Sequence, residues 1–103
     1  MVKLIALYRK PEDAEALEAF EKHYFEIHMP LVEKTPGLLR SEVAKITGLP
    51  GMENKYHLMA EMYYKDMDSF NAGMGSPDGR AAAKDLMGFA RAYVEMIIGE
   101  VKE

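Results

Sequence analysis

Tyr56-His57-Leu58-Met59-Ala60-Glu61-Met62-Tyr63-Tyr64 alternates with the period of a β-strand, and both faces of that strand carry apolar side chains. Tyr56, Leu58, Ala60, Met62 and Tyr64 share one face; His57, Met59, Glu61 and Tyr63 share the other. A strand that is apolar on both faces needs cover on both. Val2 to Arg9 repeats the pattern, with Val2, Leu4, Ala6 and Tyr8 opposed to Lys3, Ile5, Leu7 and Arg9. Arg91 to Val101 repeats it again, Val94, Met96 and Ile98 alternating with Tyr93, Glu95 and Ile97. Leu38 to Thr47 reads as a further strand of mixed alternation, joined to the first quoted segment by the turn-rich Gly48 to Asn54. Those two strands form a hairpin.

Helices fill the remaining gaps. Pro11-Glu12-Asp13 opens the first, because proline suits the first turn and acidic side chains favour the positive end of the macrodipole. Leu17, Phe20, Tyr24, Ile27 and Leu31 recur at helical spacing and predict its buried stripe; Thr35-Pro36-Gly37 stops it. Asp66 caps a short helix carrying Met67 and Phe70, and Gly73 to Gly75 interrupts it. Ser76-Pro77-Asp78 starts another, with Ala82, Ala83, Leu86, Met87 and Ala90 giving a small-residue face.

The order is β-α-β-β-α-β. It predicts an α+β, ferredoxin-like fold with four antiparallel strands and helices on one face, in one domain over residues 1–103. The other face then leaves Ile5, Leu7, Met59 and Tyr63 in water. A second copy, sheet on sheet, is the expected cover, so a homodimer follows as an expectation.

Composition excludes several classes. The 103 residues include no cysteine, which removes disulfides, thiolate metal sites and thiol nucleophiles and fits the cytoplasm. A net charge of −4 with scattered basic residues argues against nucleic acid. No apolar run is long enough for a membrane span, and the N-terminus lacks a signal-peptide layout. Nine methionines read as adaptable core filler.

The chain resembles the EthD family of the dimeric α+β barrel superfamily, named for ethyl tert-butyl ether degradation. The resemblance is carried by Val2 to Tyr8, Phe20, His23-Tyr24-Phe25 and His28-Met29-Pro30-Leu31-Val32. It continues through Pro36-Gly37-Leu38, Ala60-Glu61-Met62-Tyr63-Tyr64 and Ser76-Pro77-Asp78-Gly79. It implies a homodimer whose paired sheets make a barrel with a cleft in each subunit. Related barrels include cofactor-free monooxygenases, lactone isomerases and haem-degrading enzymes. An isomerase relative uses a histidine corresponding to His28 and a tyrosine whose position falls near Ser41 here.

His28 is the leading candidate for proton transfer, since it titrates near neutrality and sits at a helix end with Tyr24 on the same flank. A histidine there can equally cap terminal carbonyls. His23 lies five residues earlier, roughly 140° around a regular helix, so the two are not expected to act together. Glu61 and Tyr63 are candidates to orient an oxygenated ligand from the open face; a salt bridge at the dimer seam is the alternative for Glu61. Met59, His57 and Arg9 are expected on that side as ligand-binding residues, with Tyr24 beside His28. No metal site and no tightly bound cofactor are expected; haem would require His28 or His57 as a ligand. The chain is thus expected to bind or convert a small hydrophobic oxygenated metabolite, as a cofactor-independent monooxygenase or isomerase in a degradative or oxygenase-linked pathway. The alternative is a non-catalytic accessory protein serving a partner oxygenase.

Overall fold

A computed structural model describes residues 1–102 of the chain. Its elements are β1 (Val2–Arg9), α1 (Ala14–His23), a π-helical turn (Tyr24–His28), α2 (Met29–Glu33), β2 (Leu38–Lys45), β3 (Tyr56–Tyr64), α3 (Met67–Gly75), α4 (Pro77–Phe89) and β4 (Val94–Glu100). The strands form one antiparallel sheet in the order β2-β3-β1-β4, with the helices on one face. This is the expected split β-α-β arrangement.

The ends of the helices follow their caps. Asp13, in extended conformation, accepts the Ala16 N–H at 2.8 Å, so α1 begins at Ala14 and Pro11 stays outside it. Asp66 accepts the Ser69 N–H at 2.8 Å and starts α3 as expected. The last strand begins at Val94 rather than Arg91. Bonds from the Tyr93 and Val94 N–H groups to the Ala90 carbonyl use residues 91–93 as a turn.

The core lies between the sheet and the helices. Val2, Ala6, Tyr8, Leu58, Ala60, Met62 and Tyr64 supply its sheet side. The rings of Tyr8 and Phe20, and of Tyr8 and Tyr24, meet at 5.3 Å between centroids and pin α1 and the start of the π turn onto β1. Such pairs add about 1 kcal/mol each beyond their buried area.

The first helix departs from its expected phase. The Met29 N–H bonds to the Tyr24 carbonyl, five residues back, and this defines the widened π turn. Pro30 follows directly; it has no N–H to give, and its ring crowds the preceding turn of a regular helix. The widening moves the buried stripe by one residue. Ile27, expected inside, is 49% exposed, while His28 and Val32 are buried in the places foreseen for Ile27 and Leu31.

At the junction of α3 and α4, Ser76 closes a tight corner. Its hydroxyl donates to the Gly73 carbonyl at 2.5 Å and accepts the Gly79 N–H at 3.0 Å. A Cβ on Gly79 would run into the Gly73 backbone, whereas Gly88, near the end of α4, has open space around it. Gly79→Ala is therefore expected to cost about 2 kcal/mol by overpacking, lowering the melting temperature by roughly 10 °C. Gly88→Ala should instead stabilise by about 0.5 kcal/mol through helix propensity. Thermal melts of both variants check the pair, and equal effects would contradict the close approach.

Candidate functional site

The π turn decides which side chains meet. With five residues taking up one turn, positions 23 and 28 fall on the same flank instead of being divided as on a regular helix. Asp85 of α4 stands opposite. Its Oδ1 lies 2.8 Å from His23 Nε2, and its Oδ2 lies 3.0 Å from His28 Nδ1. The expectation that the two histidines are separated is thus overturned. One carboxylate joins them, and Phe89 packs against both rings at 4.3 and 5.2 Å.

This geometry sets the chemistry of His28. An ionised Asp85 accepts from Nδ1–H, which leaves Nε2 as the basic nitrogen of the neutral ring. His28 is 5% exposed. Burial lowers its pKa from the ordinary histidine value; the hydrogen bond and charge of Asp85 pull the other way, and His23 adds to the lowering.

His28 lines a cavity of about 80 Å³ between the helix-side face of the sheet and the helices. Leu4, Ala6, Tyr8, Met62 and Met96 form its sheet wall; Val32, Met74, Ala82 and Leu86 are among the helix residues that close it. Tyr8 is 2% exposed and Tyr24 is fully buried. Burial raises the pKa of both phenols, and in Tyr8 the neighbouring Tyr24 and Asp85 add to the rise. The Tyr24 hydroxyl has no hydrogen-bond partner among the described residues.

The cavity is on the opposite side of the sheet from where the other candidates were expected to work. Glu61 and Tyr63 do occupy the open face, as β1 pairing shows by setting Ile5 opposite Glu61 and Lys3 opposite Tyr63. The sheet therefore stands between them and His28, and the three do not form one catalytic group. Glu61 pairs with Lys3 at 2.6 Å. Tyr63 lies under the Arg40 guanidinium, 3.9 Å from its ring centre. Arg9 pairs with Glu95 at 2.8 Å and donates to the Ala92 carbonyl. Met59 is on the open face opposite Leu7.

His57 is not on that face. The β1–β3 register slips between Tyr8 and Arg9, and the alternation breaks there. His57 is buried under α1, where its Nε2 lies 2.7 Å from Glu21 Oε1 and its ring meets Phe20 edge-on. Among the expected site residues, then, only His28 and Tyr24 stand together. Asp85 and Tyr8 escaped the sequence reading. Asp85 is a single acidic residue on a helix of unknown phase, and Tyr8 reads as one more core aromatic. Among the described residues no cluster of three or more His, Cys, Asp or Glu could hold a metal ion, and no helix is long and apolar enough to cross a membrane.

The chain belongs to the EthD family, whose domain model matches residues 12–92. It is 47% identical to an EthD-family protein from Bacillus halodurans C-125, whose crystal structure matches with a TM-score of 0.91 and 99% of each chain covered. It is 30% identical over 97 residues to an 11.0 kDa protein of the thcB–thcC intergenic region of Rhodococcus erythropolis, covering 94% of this chain and 91% of that one. A dimeric ferredoxin-like protein from Thermobifida fusca shares the fold at 20% identity and a TM-score of 0.64, with 97% and 90% covered.

The lowered pKa of His28 has a consequence for stability. The folded protein favours the neutral ring, so the unfolded chain takes up the proton at higher pH. The stability that His28 confers is full above its ordinary value of 6.5 and falls as the pH drops through 6.5 toward the lower folded value. Urea unfolding at pH 7.5 and 5.5 should show wild type weaker at the lower pH, with His28→Gln reducing that difference. The variant should lose about 1 kcal/mol at the higher pH through its altered bond to Asp85. An undiminished difference in the variant would contradict this account.

Proposed function

We propose that this EthD-family protein takes a small, mostly apolar molecule carrying oxygen into the cavity beside His28, and that His28 moves a proton on it without a tightly bound cofactor. The observation that carries the reading is the Nδ1 bond from His28 to Asp85 at the cavity wall. It holds a buried imidazole in one tautomer with Nε2 left for a ligand, the arrangement a general acid–base residue requires. The apolar walls favour the hydrophobic part of the ligand. Glu61 and Tyr63 have no part in this step, because the sheet separates them from it. The class of reaction this favours is isomerisation or another proton transfer within a degradative or oxygenase-linked pathway, and the cysteine-free composition suits a cytoplasmic setting.

Small lactones, ketones and ethers, assayed for binding by calorimetry and for turnover, test it. His28→Gln should lower kcat on a turned-over compound by about 100-fold, the range for a lost general base, and leave Kd nearly unchanged. An unchanged kcat would remove His28 from the chemistry. Binding without turnover in the wild type would instead identify an accessory binder serving a partner oxygenase.

The same reading includes a homodimer formed through the open face of the sheet. Ile97 is 58% exposed there, with Ile5, Leu7 and Met59 half-buried around it. The ion pairs Lys3–Glu61 and Arg9–Glu95 lie on the same face. Apolar surface on an otherwise charged face is the mark of an association surface. Light scattering at micromolar concentration should give twice the chain mass, and Leu7→Lys with Ile97→Lys should give the single-chain mass. A wild-type monomer would refute the dimer.

A further inference from the structure

Among the described residues, no Lys, Arg, Asp or Glu lines the cavity beside His28. Behind it, a protonated His28 and an ionised Asp85 would sum to no net charge. An anionic ligand would therefore give up its water without meeting an opposite charge, and a cationic one would meet no carboxylate on the wall. The chemistry of the walls selects a neutral molecule. The volume, about 80 Å³, selects a compact one. A cavity of about 150 Å³ holds benzene and a water occupies about 30 Å³ of liquid, so about three non-hydrogen atoms fit before the walls must move. Met62, Met74 and Met96 supply walls that can move somewhat.

Two polar groups on the wall have complementary roles. His28 brings a nitrogen lone pair, and Tyr8 brings a buried phenol with Tyr24 and Asp85 nearby. Burial keeps that phenol in its protonated, donating form. The other polar wall residues, Thr35 and Tyr64, face one another.

We propose, building on the reading of His28 as the proton-transfer residue, that the substrate is a small neutral ketone or aldehyde with a hydrogen on the carbon next to its carbonyl, and that Tyr8 donates a hydrogen bond to the carbonyl oxygen. The C–H bond breaks and its proton passes to His28 Nε2. The released electron pair forms the C=C bond of the enolate, and the carbonyl π pair moves onto the oxygen that Tyr8 faces. The imidazolium formed is held by Asp85, and the proton returns to the same carbon or to the oxygen. No oxidant or reductant enters the balance. A phenol placed at a developing oxyanion and a base at the neighbouring hydrogen divide the work of enolisation between them.

Proton exchange in deuterated buffer, followed by NMR, tests this with 2-butanone and, as the charged counterpart, pyruvate. Wild type should exchange the protons next to the carbonyl of butanone at least tenfold faster than buffer, and leave the pyruvate rate at the buffer level. His28→Gln should remove the acceleration, and Tyr8→Phe should reduce it by about tenfold or more, while both still show butanone shifting the Met74 and Met96 methyl resonances. Acceleration of pyruvate equal to that of butanone would overturn the neutral-substrate assignment. Full activity of Tyr8→Phe would overturn the role of Tyr8. In wild type the carbonyl carbon resonance of labelled butanone should also move downfield on binding, and its staying in place overturns the Tyr8 contact whether or not the variant folds. Butanone that shifts the methionine methyls yet exchanges no faster than in buffer would sink this inference and leave the cavity as a binding site. No methyl shift with butanone or with any compound of the wider panel would sink the reading of the cavity itself.

Discussion

Asp85 holds two imidazoles with one carboxylate, and the helix that carries them is wound to suit. His23 and His28 are five residues apart, a spacing that only a π turn brings onto one flank. A regular helix from Ala14 to Glu33 would send Ile27 inward and turn His28 away from α4. The observed winding does the reverse: it exposes Ile27 and buries a histidine. A buried imidazole without a partner would be costly. The Asp85 bond offsets that cost, and it also ties the helical segment after β1 to the one after β3. Phe89 packs against both rings from the last turn of α4, so apolar and polar contacts act at the same seam.

Much of the fold was legible because it rests on local signals. Alternation marked the strands, and Asp66 and Ser76-Pro77 marked helix starts by the chemistry of their side chains. Two of the readings that failed share one cause, an irregularity of a single residue. The π turn moved the buried stripe of the first helix from Ile27 to His28. The slip between Tyr8 and Arg9 carried His57 from the open face of β3 to the space under α1. Periodicity assumes an unbroken register, so each irregularity displaces every assignment that depends on it. Pro30 hinted at the first, since a proline inside a helix must disturb the turn before it. Nothing in the spacing hinted at the second.

The candidate site was legible only in half. His28 was visible from its own chemistry, whereas Asp85 became meaningful only when α4 was seen to lie against the π turn. Glu61 and Tyr63 drew notice as polar groups in an apolar strand, and they are such groups. Their partners, Lys3 and Arg40, lie on the same open face as they do, and both are part-exposed or exposed in this chain. A four-stranded sheet presents two environments with the same residue types. Parity along the strand says which residues share an environment but not which side holds the cavity. That question was decided by where the helices left space.

The two sides of the sheet differ in what they ask of charge. On the open face charged groups are paired along and across strands, and apolar side chains lie between the pairs. On the helix side the carboxylate of Asp85 is set back from the cavity wall. Asp85 stands behind His28, and the phenols of Tyr8 and Tyr24 are held neutral by burial. On the proposed reading, a positive charge formed on His28 would be met by the Asp85 carboxylate already in contact with it. The cavity walls carry no Lys, Arg, Asp or Glu among the described residues. On that reading, selection falls to shape and to the few hydrogen-bonding atoms on the wall, with Met62, Met74 and Met96 setting the size of the space.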